Sequence, residues 1–283
     1  MLTIDGLGSV VVAAVPKDVG PKWFQGIEVE HALVQTPPAR PLDIHPLGEA
    51  LGFVFGAPMV PLGQTDFASD GRVHSAAAWY PRHADLMRVT CEIDPRPPCR
   101  LSDWAGRQET ETILQAIVPA WLRERSKFQL RTIAYLLHHA DVLPIDIRLV
   151  LYMAIIETLA VAVVTSGDGE DPGIWSWRIK ALAAALNLRI GEPEWQALKA
   201  RHDFAHAWSP HDRSLAWHVH IEAAFRTLVH RVLLAALGYR GEYVDYSDRS
   251  DRGTDPRSMG HPCRALADPA AGPAGDGKPA PDA

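Results

Sequence analysis

The 283-residue chain is short of several things, and each shortage removes a class of explanation. No apolar run is both long and free of charge, which argues against a membrane-spanning helix. Three cysteines, Cys91, Cys99 and Cys263, make an odd number without CxxC spacing, so neither a disulfide framework nor a cysteine-built zinc site is indicated, and a reducing compartment is expected. No basic segment leads into an unbroken apolar stretch at the N-terminus, the pattern a secretory signal needs, and a cytoplasmic location is the expectation. Nor is the chain basic. Its formal net charge of −6 excludes a uniformly cationic nucleic-acid binder, so any grip on a polyanion has to be local.

What is present falls into three parts. Lys and Arg against Asp and Glu number 8 against 12 over residues 1–105, 15 against 14 over 106–240, and 5 against 8 over 241–283. The middle part is therefore the one that is not acidic. With 47% hydrophobic residues the chain holds material for one or two cores.

Residues 1–105 read as a β-rich domain. Ser9 to Val15 is a valine-heavy run ended by Pro16, and Trp23 to Val34 alternates around Ile27, Val29, His31 and Leu33. Leu51 to Phe55, Val73 to Tyr80 and Leu86 to Ile93 are further strand candidates, separated by Pro37-Pro38, Pro58, Pro61-Leu62-Gly63 and Asp70-Gly71. Glu28, Glu30 and His31 are better explained as the charged positions of a half-buried strand than as metal ligands. Asp94-Pro95-Arg96-Pro97-Pro98 continues neither strand nor helix, which puts a boundary near it.

Beyond it the apolar period becomes helical. Ile113, Ile117, Trp121, Phe128, Tyr135 and Leu136 recur at helical steps, with Pro119 expected to start or kink a helix that ends near His139, where His138 and His139 suit the helix dipole. Pro144 opens the next helix, whose apolar body is Leu149 to Val164, with Glu157 in its middle. A carboxylate there needs a partner, either a structural one or Arg201. Ser166 to Asp171 has the composition of a calcium loop without its spacing and reads as a connector. Trp175 opens a helix to Asn187, Glu192-Pro193-Glu194 opens another, and Leu215 to Leu237 is the last, stopped by Gly238. From about Gly241 large apolar residues thin out, and 241–283 reads as a disordered tail.

Chemistry concentrates in Ala200-Arg201-His202-Asp203-Phe204-Ala205-His206. Arg201 is a permanent cation suited to phosphate, and His202 and His206 titrate near neutrality and are able to move protons, a combination that suits phosphodiester chemistry. Three readings use these residues. One is a surface helix with polar residues by chance. Another is His-acid-x-x-His, with His202 and His206 at i and i+4 as zinc ligands and Asp203 in place of the usual glutamate base. The third is Arg, a polar residue, three further residues and then His. Arg201 and His206, five apart, stand about 140° from one another on a regular helix, so one helix alone does not converge them. A long arginine reach, a bend near Asp203 or a second copy of the chain has to supply the convergence.

The order of these parts resembles the HEPN superfamily, in particular the ApeA-like proteins: a β-rich region, a helical domain with Ile156-Glu157-Thr158-Leu159 in its second long helix, and Arg201-His202-x-x-x-His206 before the last helix. His202 stands where that family often has asparagine. The resemblance covers roughly residues 109–240 and implies an α+β chain: a β-rich N-terminal domain, an antiparallel helical bundle over 106–240 and a disordered tail over 241–283. It implies a cytoplasmic, metal-independent endoribonuclease that needs no cofactor and joins two copies in a homodimer. Catalytic roles fall to Arg201, His206 and His202, supporting roles to Asp203 and Glu157. RNA is the implied partner, a phage-derived or other trigger on the N-terminal domain a further one, and bacterial antiviral defence or toxin–antitoxin control the implied setting. The alternatives are a catalytically silent HEPN scaffold and a zinc metallohydrolase using His202 and His206.

Overall fold

The computed structural model describes residues 2–4, 8–15, 31–35, 44–57, 59, 63–68, 70, 72–78, 96–99, 101, 107–164, 175–207, 214–248 and 261–266; for residues 2–4, 8–15, 31–35, 44, 63–67, 74–75, 77–78, 107–108, 175–177 and 201–207 the description is of the backbone. These are mostly helical. The helices are α1 (Ile44–Phe55), α2 (Arg107–Glu124), α3 (Leu130–Ala140), α4 (Ile145–Val163), α5 (Trp175–Ala185), α6 (Glu192–Ala207) and α7 (Leu215–Ala236). The strands are β1 (Leu2–Ile4), β2 (Gly8–Val15), β3 (His31–Gln35), β4 (Gly63–Phe67), β5 (Val73–Ala78), β6 (Glu242–Val244) and β7 (Cys263–Ala265). They pair antiparallel as β1-β2-β3, β4-β5 and β6-β7. No helix among the described residues is long and apolar enough to cross a membrane.

Expected strands appear at Gly8–Val15 and Val73–Ala78, and Trp23–Val34 contributes its end, His31–Gln35. The part of that run before His31, and Leu86–Ile93, lie outside the described residues. Leu51–Phe55 is not a strand. It closes α1, because Leu47, Ala50, Leu51 and Val54 recur at helical spacing and all four are buried, and a short apolar run read alone does not distinguish the two states. The helical pattern expected to run to His139 is two helices, divided by Gln129 in the left-handed conformation at φ 52°. Pro119 neither starts nor ends α2 but lies inside it, where Ile117, Val118, Ala120 and Trp121 are buried around it. Pro144, Glu192 and Gly238 sit at the helix ends as expected, Gly238 with φ 76°.

One core reaches across the expected divisions. Leu47, Leu51, Phe53 and Val54 of α1 pack in the same cluster as Trp121 of α2, Ile133 of α3, Tyr152 and Ile156 of α4, Leu198 of α6 and Phe225 and Leu233 of α7. The proline-rich segment beside Asp94 does not swing free: Pro98 and Cys99 are buried. Prolines donate no backbone hydrogen bond, but their carbonyls still accept. Pro97 accepts from the Tyr246 hydroxyl at 2.7 Å and Pro98 from the Val244 amide at 2.9 Å.

Those contacts overturn the disordered reading of the tail for residues 242–248 and 261–266. Tyr243, Val244, Tyr246 and Leu266 are buried, and Arg264 pairs with Asp245 and Asp248. Composition missed this because two short segments with few apolar residues, contributing two tyrosines, one valine and one leucine, close over an existing core instead of building one.

Gly56 fixes the geometry on the opposite side of that segment. Its φ is 65°, and the Arg96 amide donates to its carbonyl at 3.1 Å. A Cβ placed on it lies 2.1 Å from the Arg96 carbonyl carbon, so backbone has to move for any larger residue. Gly56→Ala is therefore expected to destabilise the protein by about 2–4 kcal/mol, read from the denaturant midpoint. An effect below about 0.5 kcal/mol contradicts the close approach.

Candidate functional site

Three helices define the relation between the expected catalytic residues and the rest. Tyr152 of α4 meets Glu222, Phe225 and Arg226 of α7, while Ile156 shares a small cavity with Leu228 and Val232, so α4 and α7 run parallel. Glu194, in the first turn of α6, meets Arg231 near the end of α7. Were α6 parallel to α7 as well, the connection from Ala207 to Leu215 would have to cover about 44 Å, and its eight Cα-to-Cα steps reach at most about 29 Å. The two helices are antiparallel.

In that register Arg201 stands level with about Ala224 and His206 with about Val219, on the last turns of α6. The helix runs uninterrupted through Asp203 to Ala207. Arg201, His202, Asp203 and His206 thus share the closing turns of one helix, at the end of the bundle that also holds the α3–α4 turn and the start of α7. Glu157 is half-buried on α4, five residues beyond Tyr152, and falls level with the first half of α6, about 7 Å along the axis from Arg201.

The described side chains build a different constellation, which the sequence reading missed. Glu222 and Arg226 stand one turn apart on α7, both buried. Arg226 donates through Nε and Nη2 to Glu222 Oε1, at 3.2 and 2.9 Å, and through Nη2 to Asp141 at 2.5 Å. The Tyr152 hydroxyl donates to the same Oε1 at 2.9 Å. Nη1 of Arg96 lies 3.5 Å from it and Nη1 of Arg148 3.8 Å. Arg148 is held by donating to the backbone carbonyls of Leu143 and Asp141. Burial pushes the Glu222 carboxyl up, but Arg226 and Arg96, with the hydrogen bonds from Arg226 and Tyr152, outweigh it and hold the group below its ordinary value. Burial drives the Tyr152 phenol well up. It stays a donor.

A second buried pair faces the other way. Arg231 lies nine residues after Glu222, about 180° round the helix. It donates to both oxygens of Glu194 at 2.6 Å and to the Arg189 carbonyl at 2.8 Å. Glu194 also accepts the Gly191 amide at 2.7 Å, half of a capping box at the start of α6. The pair therefore ties the origin of the Arg201-bearing helix to α7.

His230 occupies the face between them. It packs edge-on to Phe53 and Tyr246, with ring centroids at 6.1 and 5.8 Å, and no hydrogen-bond partner meets its buried Nδ1. Burial first, then Arg226 and Arg96, hold it well below the ordinary 6.5. His138 is buried at the end of α3, and the His139 ring stands 4.0 Å from that of Tyr135, which bears out their helix-end placement. His218 contacts the Ser214 carbonyl at 3.0 Å. Among the described residues no three His, Cys, Asp or Glu gather as metal ligands.

Compared with family models, curated proteins and solved structures, the chain matches none.

Two predictions test the electrostatics. Glu222→Gln strips a full charge from the centre of three guanidinium groups and is expected to cost about 3 kcal/mol, against less than about 0.5 kcal/mol for Asp70→Ala at the exposed Arg72 pair. Equal effects in urea denaturation contradict the buried network. His230 is neutral in the folded chain and takes up a proton near pH 6.5 when unfolded, so its contribution is level above about 6.5 and stability falls as pH drops below that. The slope is up to about 1.4 kcal/mol per pH unit. His230→Leu is expected to remove that slope between pH 6.5 and 5; an unchanged slope assigns it to other groups.

Proposed function

We propose that the chain is a metal-independent endoribonuclease of the HEPN kind, with Arg201, His206 and His202 as its catalytic residues and Asp203 beside them. The observation that supports this reading is the single uninterrupted helix that carries Arg201 to His206 into the end of a helical bundle, anchored at its origin by Glu194 and Arg231. The β strands preceding that bundle are read as the N-terminal domain of such a protein, and a sensing role is assigned to them. Glu157, on the neighbouring helix α4, keeps the supporting role alongside Asp203.

The chemistry follows from the residue types. The ribose 2′-hydroxyl attacks the adjacent phosphorus, and one histidine takes its proton. Arg201 balances the charge that develops on the phosphoryl oxygens. The bond to the 5′ oxygen breaks, a second imidazolium or water protonates that oxygen, and the products carry a 2′,3′-cyclic phosphate and a 5′-hydroxyl. Positions 201 and 206 stand about 140° apart on a regular helix, so a second copy of the chain, in a homodimer, supplies the converging group. Cleavage of cellular or phage RNA in bacterial defence, or toxin–antitoxin control, suits such an activity.

Arg201→Ala and His206→Ala are each expected to lower RNA cleavage by at least about 100-fold with the thermal midpoint unchanged within a few degrees. Cleavage is expected to survive EDTA and to spare DNA, which lacks the attacking hydroxyl. Stoichiometric zinc with chelator-sensitive hydrolysis transfers His202, Asp203 and His206 to the metallohydrolase reading. A parental protein that cuts no RNA under any trigger leaves the silent scaffold.

A further inference from the structure

The Glu222 constellation has more positive charge than its own carboxylates engage. Three guanidinium groups, of Arg96, Arg148 and Arg226, surround two carboxylates, Glu222 and Asp141. Glu222 Oε1 already accepts Tyr152 and two nitrogens of Arg226. Arg96 donates through Nη1 to both Glu222 oxygens, each at a long 3.5 Å, and Arg148 comes within 3.8 Å of Oε1, against the 2.7–2.9 Å of a close charge-assisted hydrogen bond. These two are also the open members of the group. Their side chains are 33% and 19% exposed, whereas Arg226 is 2% exposed.

We infer that Arg96 and Arg148 form a binding site for a phosphate group. Both Nη1 atoms approach one carboxylate oxygen, so they lie within about 7 Å of each other, and like charges at that separation repel by about 0.6 kcal/mol or more. A phosphate, with oxygens about 2.5 Å apart and hydrogen bonds of about 2.8 Å, spans donors up to about 8 Å apart. It is tetrahedral, so it presents oxygens to both guanidinium forks at once, and its charge answers the excess. Asp141 and Glu222 face the same space. Each is held by Arg226, which leaves the outer pair to the ligand. The Arg148 guanidinium is placed in advance by donating to the carbonyls of Leu143 and Asp141, and the Arg96 main chain by the hydrogen bond that its N–H donates to the Gly56 carbonyl. Preorganisation of this sort lowers the ordering cost of binding. The inference does not rest on the ribonuclease reading.

The phosphate comes from a polynucleotide backbone or from a small molecule, and one experiment separates them. The full-length chain is followed by thermal unfolding in inorganic phosphate against sodium chloride of equal ionic strength, and by fluorescence anisotropy with a labelled 2′-O-methyl RNA lacking terminal phosphates, which 2′-hydroxyl chemistry does not cut. A phosphate-specific rise of several degrees is expected, at least halved in Arg96→Gln and partly restored in Arg96→Lys. Arg96→Gln alters neither the Arg148 carbonyl bonds nor the Arg226 pairs, and circular dichroism checks its fold. RNA affinity lowered at least 5-fold in Arg96→Gln, but not in the Asp70→Ala control, identifies the backbone as the source; phosphate binding without that loss identifies a small phosphate compound. Absence of any phosphate-specific shift, or a shift that folded Arg96→Gln retains, overturns the proposal.

Discussion

The carboxylate of Glu222 holds the described structure together in a way no apolar contact does. It is buried near the start of the stretch of α7, Ile221 to Ala235, that is buried almost all round, and it is tolerable there only because Arg226 and Tyr152 donate to it directly. Those donors come from different elements. Tyr152 fixes α4, Asp141 fixes the α3–α4 turn through Arg226, and Arg96 brings in the segment before α2. Hydrophobic burial around Phe225 and Leu228 stabilises many near-alternative packings about equally well. A buried charge with this set of partners disfavours a slide of α4 along α7, since a slide separates the partners and leaves the charge unmet. The network is thus read as setting register, with the core contributing most of the free energy.

Much of the helical half was legible in the sequence, for reasons that can be named residue by residue. Pro144, Glu192-Pro193-Glu194 and Gly238 mark helix ends by backbone chemistry that operates locally, and the structure places them so. Leu51–Phe55 was misread because four or five apolar residues carry no period, and only the wider set from Leu47 reveals the helical one. The 242–248 segment has few apolar residues of its own, and it closes through distant contacts: the Tyr246 hydroxyl donates to the Pro97 carbonyl 149 residues away and the Val244 amide to that of Pro98. Long-range complementarity of that kind has no local signature.

The candidate sites divide along the same line. Arg201, His202 and His206 drew notice because they are adjacent in sequence, and the structure keeps them on one helix. The Arg96, Asp141, Tyr152, Arg148 and Glu222 set was invisible because its members are spread over more than a hundred residues and each, singly, has an ordinary surface explanation. A signal was present in α7 all the same. Glu222, Arg226, His230 and Arg231 lie in a segment otherwise rich in Ala, Leu, Val and Phe, and charged groups in such company have to be paired.

The contacts of Pro97 and Pro98 with Tyr246 and Val244 also order events in time. On a ribosome α1 to α7 emerge before residues 242–248, and the partner strand β7 follows later still. Until then the carbonyls of Pro97 and Pro98 face water, and one flank of α7, around Thr227 and His230, is uncovered; Thr227 Oγ1 waits for the Tyr246 amide that it finally accepts at 3.0 Å. Contacts this distant in sequence are slow to form and come last. The nascent chain therefore passes through an interval in which its bundle is assembled and its seam is open, and a chaperone or a partner that recognises that seam has only the time until residues 242–248 and 261–266 close over it.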